Sequence, residues 1–484
     1  MQRALLALAV AVLAAAAPAA AFTPTDSLAA KQWFLQDDHA FDAWAEPPTV
    51  LEPVKVAIVD SGVDCSLPDF QGGRLLDARS FVGGDPCVDT EGHGTFIAGE
   101  IAANVDTQGI VGIAYTSQLV IAKVVKSDGT IPLQAEASAI RWAADSGARV
   151  INLSLGGVRD PRRPDRDTYS ALEASAVAYA YAKGAVVVAA VGNGDEAFSQ
   201  PWPFASYPAA LPHVIGVSAL TQAGNVPDYS NRDAIFNDIS APGSGIFSTF
   251  PLALTHLNPL CADQGYSDCG SDDYRNPEGT SFAAPQVSAA AAVLLAINPS
   301  LTNNQVSTIL EHTADDVNAS SGCSKCQLLR DAYSGWGRLD VAKAVAALNG
   351  PLPTADHDET NDNAGTDAHT LWGKKTNLTA TLDYYDDPVD VYRISLGPRE
   401  HLVAKVNGYW AGAQVNLILW RPGTRQITTT MTKKLRAAQS ALPGAVQRVT
   451  FVAPARGWYY VEVKDVAPGF GSYTLSLTKT TAAG

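Results

Sequence analysis

Cations are scarce in this 484-residue chain: 34 Lys and Arg stand against 49 Asp and Glu, a net charge of −15. A surface of that sign repels phosphate, which excludes nucleic acid and anionic membranes as natural partners. Cysteine is scarce too, six in all, so disulfides can reinforce the fold but cannot be its framework. Beyond the N-terminal segment no run reaches about 18 uninterrupted apolar residues. The nearest, Ala174 to Val191, is broken by Lys183 and Gly184, so no transmembrane segment is expected in the body of the chain. No internal repeat is present. What the chain does hold is a 46% hydrophobic share, enough for a sizeable core, over a length that predicts two or three domains.

Residues 1–21 set the compartment. Arg3 precedes an Ala/Leu/Val run from Ala4 to Ala17, then Pro18 and Ala19-Ala20-Ala21. A basic start, a short apolar stretch and a small-residue end read as a secretory signal peptide; an uncleaved anchor is the alternative. A secreted chain is expected, with its cysteines in an oxidising environment.

From Lys55 the pattern alternates. Short Val/Ile-rich runs occur at Lys55–Asp60, Leu119–Val125, Val150–Leu153, Ala185–Val191 and His213–Val217. Between and after them lie helical patterns at His93–Val105, Pro132–Ser146, Asp167–Lys183, Phe282–Ile297, Thr302–Thr313 and Asp340–Leu348. Continuous apolar strands are buried on both faces, and strand–helix–strand order predicts a doubly wound α/β domain with a mostly parallel sheet flanked by helices. This domain is expected over 22–350. An acidic segment, 351–370, reads as a linker or solvated loop. Over 371–484 the period becomes two, as in Tyr392, Ile394 and Leu396 or Tyr473, Leu475 and Leu477, which predicts a small all-β sandwich.

Three local motifs share one logic. Asp60 ends the run Val56-Ala57-Ile58-Val59-Asp60, and the carboxyl ends of such strands border the ligand crevice; it could equally cap a turn. Among eight histidines, His93 alone lies between two glycines, Gly92 and Gly94, which leave room around an imidazole. Ser281, in Glu278-Gly279-Thr280-Ser281-Phe282-Ala283-Ala284-Pro285, opens an Ala-rich helix. A Ser there is often only an N-cap, yet the same place offers unpaired backbone N–H groups to an oxyanion.

The order Asp60, His93, Ser281, together with Val-Ala-Ile-Val-Asp60-Ser-Gly, Gly-His93-Gly-Thr-Phe-Ile-Ala-Gly and Gly-Thr-Ser281-Phe-Ala-Ala-Pro, resembles the subtilisin-like serine proteases (subtilases, peptidase family S8). The resemblance covers roughly residues 26–350. It implies a serine endopeptidase with Ser281 as nucleophile, His93 as general base and acid, and Asp60 orienting the imidazole. It further implies that Asn193 donates to the oxyanion, and that Ser154, Leu155 and Gly156 pair with an extended substrate. The loop Asn104–Ile110 resembles the family's calcium loop. Structural Ca2+ would then be held by Asp69 and Asp106 side chains, carbonyls of Asn104, Gln108 and Ile110, and Asp26. A solvated acidic loop is the plain alternative.

Local pairing joins Cys65 to Cys87, Cys261 to Cys269 and Cys323 to Cys326. Arg159, Arg162, Arg163 and Arg166, just after the substrate segment, would favour acidic peptides or form an ordinary solvated loop. The tail, through Asp358-Glu359-Thr360-Asn361-Asp362 and Gly457-Trp458-Tyr459-Tyr460-Val461 among others, resembles the bacterial pre-peptidase C-terminal domain. Expected partners are protein or peptide substrates, and the chain is expected to be a monomer. An inactive subtilase-fold binding protein and an adhesin acting through the sandwich are the competing readings.

Overall fold

A computed structural model describes residues 22–44, 52–255, 264–427 and 434–481. Seven parallel strands form one sheet among these residues: β1 Lys55–Asp60, β2 Leu75–Ser80, β3 Gln118–Lys123, β4 Val150–Leu153, β5 Val186–Ala190, β6 Val214–Leu220 and β7 Ile239–Pro242, in the order β2-β3-β1-β4-β5-β6-β7. After β1 the chain forms the edge strand β2, returns through β3, then crosses β1 to β4 and runs outward to β7, so the connections leave β1 and β4 in opposite directions. Alternate side chains of β1 explain why its sequence is apolar throughout. Val56 and Ile58 join one core with α1 (His93–Ala102), α4 (Ala284–Ile297) and α5 (Asn303–His312). Ala57 and Val59 join another with α2 (Leu133–Asp145) and α3 (Ala171–Ala182).

The expected strands are present. β2 and β7 were not legible: β2 is a largely exposed edge strand carrying Asp77 and Arg79, and β7 has four residues ending in Pro242. Both lack the apolar run that betrays a two-sided burial. Two helices start later than their patterns suggest. Ser170 caps α3 by accepting from Leu172 N and Glu173 N, and a 3₁₀ turn, Thr280–Phe282, precedes α4. The span Thr280–Ile297 is apolar enough by composition to cross a membrane, but 89% of it is buried inside the protein. Its Ala-rich surface lets it lie between the sheet, α1 and α5.

After α6 (Val341–Ala347) the chain crosses to a β-sandwich. Its strands are β8 His369–Leu371, β9 Lys375–Asp383, β10 Val389–Leu396, β11 Glu400–Gly408, β12 Val415–Trp420, β13 Arg436–Ser440, β14 Val446–Val452, β15 Gly457–Asp465 and β16 Phe470–Thr481. They form sheets β13-β12-β15-β10-β8 and β14-β11-β16-β9 around a core that includes Tyr392, Tyr459 and Tyr473. The acidic segment before β8 is not a solvated loop. Asp356 and Asn361 are buried; Asp356 accepts from Thr381 N at 2.7 Å, and Asp362 meets His213 of the α/β domain at 3.1 Å. Its carboxylates face inward because their partners lie elsewhere in the chain.

Candidate active site

Asp60, Ser154 and Asn193 all sit at or just beyond the carboxyl ends of β1, β4 and β5, beside the point where the connections from β1 and β4 diverge. They line one cleft of about 300 Å³ with His93, Ser281, Leu155, Gly156, Glu91 and Glu196.

Asp60 is 2% exposed. Ser61 N donates to its Oδ1 at 2.7 Å, and His93 Nδ1 lies 2.9 Å from both carboxylate oxygens. His93 is the first residue of α1, after Gly92 at φ +96°. No side chain fits at either flanking glycine. A Cβ on Gly92 would stand 2.1 Å from the Phe250 ring, and one on Gly94 would stand 2.1 Å from Gly62 O and 3.2 Å from Asp60 Cβ. The strand end and the helix start thus approach closely enough for the imidazole to reach the carboxylate.

A residue that sequence reading missed organises this corner. Buried Asp89 accepts from Gly92 N at 2.9 Å, Thr95 N at 3.0 Å, Thr95 Oγ1 at 2.6 Å and Ser61 Oγ at 2.9 Å. It takes the Gly92 and Thr95 N–H groups at the start of α1 and holds Ser61, whose Oγ lies at hydrogen-bond distance from Gly94 N at 2.9 Å, so that helix is joined to the end of β1. In an acidic loop Asp89 looks like surface.

Burial favours neutral His93, but the charge and hydrogen bond of Asp60, helped by Asp89 and Glu91, outweigh it and raise the imidazole above its ordinary pKa. Ser281 Oγ donates to Ser154 O at 3.3 Å, and Ser154 Oγ donates back to Ser281 O at 2.8 Å. Ser154 in turn accepts from Asn152 Nδ2 at 2.9 Å, whose Oδ1 accepts from Ser288 Oγ in α4. The backbone around Ser281 is therefore tied to the end of β4 and, through Asn152, to α4. Asn193 is held too. Its Oδ1 accepts from Thr280 N at 3.0 Å and Thr280 Oγ1 at 3.1 Å, which directs its Nδ2 toward Gly279, where a Cβ would stand 3.6 Å away, and toward the Glu196 carboxylate. Gly156 is required because a Cβ would lie 2.3 Å from Tyr207 O.

Asp26, Asp69 and Asp106 lie around the loop that follows α1. Asp26 accepts from Asp106 N at 2.9 Å and Thr107 N at 3.0 Å, yet its buried Oδ2 has no partner. Asn104 N donates to Asp69 O at 3.0 Å, and Asp106 Oδ1 accepts from Gln108 N at 3.0 Å. Burial raises the Asp69 carboxyl to about 6, against hydrogen bonds that include Tyr266 and Ile110, and Asp106 adds repulsion. An orphaned carboxylate oxygen and a second destabilised carboxylate beside Asp106 fit an oxygen-liganded cation. The side chain of Asn104 is engaged by Arg74 at 2.6 Å, so only its carbonyl is free for that role.

Cys65–Cys87 and Cys323–Cys326 are bonded, with S–S distances of 2.03 Å; Cys261 lies outside the described residues. The first bridge ties the loop after Asp60 to the loop before His93. The four arginines lie away from the cleft. Arg159 pairs with Asp233 at 2.8 Å, Arg163 with Asp165, and Arg162 and Arg166 lie over the Phe204 and Phe198 rings. Apart from Asp60 and His93, the charged side chains that line the cleft are Glu91 and Glu196, so an acidic-peptide preference has no support.

Comparison with known proteins follows the geometry. A family model described as the subtilase family matches residues 52–337, ending before the sandwich. The chain is 37% identical to Subtilisin DY of Bacillus licheniformis over 293 residues, which is 60% of this chain and 90% of that protein. It is 32% identical to Thermitase of Thermoactinomyces vulgaris, across 67% of this chain and 99% of that one. Among solved structures, Sphericase matches with a TM-score of 0.51 at 31% identity, covering 64% of this chain and 98% of its own.

A general base must be neutral to accept a proton, so with His93 in that role activity should rise with pH through its elevated pKa. Glu91 is one of the charges that elevate it. Glu91→Gln is expected to move the acid limb of the kcat/KM profile for peptide hydrolysis to lower pH; a limb that stays or moves upward would show that Glu91 does not act on His93.

Proposed function

Because the chain belongs to the subtilase family of subtilisin-type serine endopeptidases, we propose that it is secreted and cleaves peptide bonds through Asp60, His93 and Ser281. The observation that carries this reading is the buried Asp60–His93 contact at 2.9 Å in the cleft that also holds Ser281 and Asn193. With Nδ1–H committed to Asp60, the Nε2 lone pair of His93 is free to take the Ser281 hydroxyl proton. Ser281 Oγ then leaves its resting partner, Ser154 O, and attacks the scissile carbonyl. Negative charge develops on that oxygen, where Asn193 Nδ2 and the backbone N–H of Ser281 in the helix-opening turn can receive it. Such a side-chain donor is worth about 10²–10³ in turnover. Protonated His93, stabilised by Asp60, next gives its proton to the departing amine. Water, activated by the same imidazole, hydrolyses the acyl-enzyme. The backbone beyond β4 at Ser154, Leu155 and Gly156 aligns the peptide by strand pairing.

Secretion is supported by the signal-like residues 1–21 and by two disulfides, which suit an oxidising compartment. The tail is read as a pre-peptidase C-terminal-like domain on its motifs. Asp26, Asp69 and Asp106, with carbonyls of Asn104, Gln108 and Ile110, would hold Ca2+. When bound, the ion supplies positive charge that these carboxylates lack, joining residue 26 to the loop after α1.

A serine-directed phosphonylating probe should label Ser281, with labelling and peptidase activity both lost in Ser281→Ala; undiminished activity in that variant would refute the assignment. A calcium-selective chelator should lower the melting temperature and added calcium restore it, with the difference absent in Asp69→Asn. Melting that ignores calcium in the wild type would remove the cation site.

A further inference from the structure

Where α5 ends against the sandwich, acidic groups from both domains meet. Glu311 and His312 close α5, and Asp383 closes β9; one ligand atom from each lies within 4.8 Å of the others. Burial raises the carboxyls of Glu311, Asp383, Asp386 and Asp238, repulsion adds to it at the first three, and Asp386 hydrogen-bonds Glu311 and Asp238, with Arg330 the cation among them. Arg330 is already bound to Asp238 at 3.1 Å and lies 3.6 Å over the Tyr385 ring.

Two observations show what this cluster lacks. Glu311 is 2% exposed, and its Oε1 has no partner. His312 Nε2 is also buried without a partner and stands 4.0 Å from Asp383 Oδ2, too far for a hydrogen bond. The ring cannot easily turn away, since it stacks on Phe470 of the sandwich at 3.5 Å and meets the edge of Trp336 at 4.4 Å. A buried imidazole nitrogen and a buried carboxylate oxygen, both without hydrogen-bond partners, with an Asp383 oxygen in the same cluster, make a mixed donor set for one cation. A cavity of about 500 Å³ lined by His312, Asp383, Asp386 and Phe470 runs along the interface and gives the ion a path.

We propose that Glu311, His312 and Asp383 bind a divalent transition-metal ion that fastens the sandwich to the peptidase domain, and mixed imidazole and carboxylate donors make Zn2+ the best match. The ion offsets the excess negative charge of the interface, and its ligands come from both sides of the domain boundary. The nearby His213 group is different. His213 Nε2 already bonds Asp362 at 3.1 Å, and the neighbouring carboxylates raise its pKa to about 9 despite burial, so a charged imidazole occupies the place a metal would take.

The test uses the full chain, freed of metal and then saturated with calcium, and titrates ZnCl2 by calorimetry alongside melting curves. One equivalent should bind and raise the melting temperature. His312→Phe, which keeps a ring against Phe470, and Asp383→Asn, which keeps the side-chain shape, should each weaken that binding about 10–100-fold or more, the loss that even an outer partner of a metal ligand produces. Zinc binding that neither substitution weakens, or no binding in the wild type, would overturn the proposal. Equal binding of calcium at these residues would overturn the transition-metal assignment. Loss of zinc in Asp383→Asn supports it even if His312→Phe fails to fold.

Discussion

The candidate site depends on keeping a carboxylate charged where water hardly reaches. An unpaired ion in such a place is costly, and Asp60 is tolerated because Ser61 N and His93 Nδ1 occupy its oxygens. That requirement sets much of the surrounding sequence. The imidazole must come from the first residue of a helix pressed against the strand end, and this needs Gly92 and Gly94. The helix start then needs its own donors satisfied, and Asp89 does this from inside the protein. The Cys65–Cys87 bridge ties together the loops on either side.

A second theme is the location of the negative charge. Acidic residues are expected at the surface, yet Asp26, Asp69, Glu311, Asp356 and Asp390 are buried. Several have carboxyls raised by burial and by one another. Part of the −15 is thus stored at two junctions: where residue 26 meets the loop after α1, and where the sandwich meets the α/β domain. A cation is proposed at each, a calcium ion at the first and a transition metal at the second. Stability of the whole chain is then tied to the ions of its surroundings.

The central strands were legible because β1, β4 and β5 are buried on two faces, which forces continuous apolar runs. β2 was not, since an exposed edge has no such constraint, and neither was β7, which is buried but has only four residues, Ser240 and Pro242 among them. At the site, Asp60, His93 and Ser281 stood out because each has an unusual neighbourhood within a few residues. Asp89, Glu91 and Glu196 did not, since nothing local distinguishes a helix-organising or cleft-lining acid from a solvated one. The same limit explains the acidic segment before β8. Asp356 finds Thr381 and Asp362 finds His213, and no local pattern shows a partner 149 residues away. The arginines after Gly157 were ambiguous for a related reason: Asp233 and the phenylalanine faces that occupy Arg159, Arg162 and Arg166 come from later in the chain.

The bond between His93 Nδ1–H and Asp60 is the link on which the proposed chemistry rests, and proton NMR observes it directly. A strongly hydrogen-bonded imidazole N–H gives a resolved low-field resonance. In the full-length protein this resonance should be present, should titrate above the ordinary imidazole value of 6.5, should survive Ser281→Ala, and should vanish in Asp60→Asn. Its absence from the wild type, or its persistence without the Asp60 carboxylate, would contradict the account.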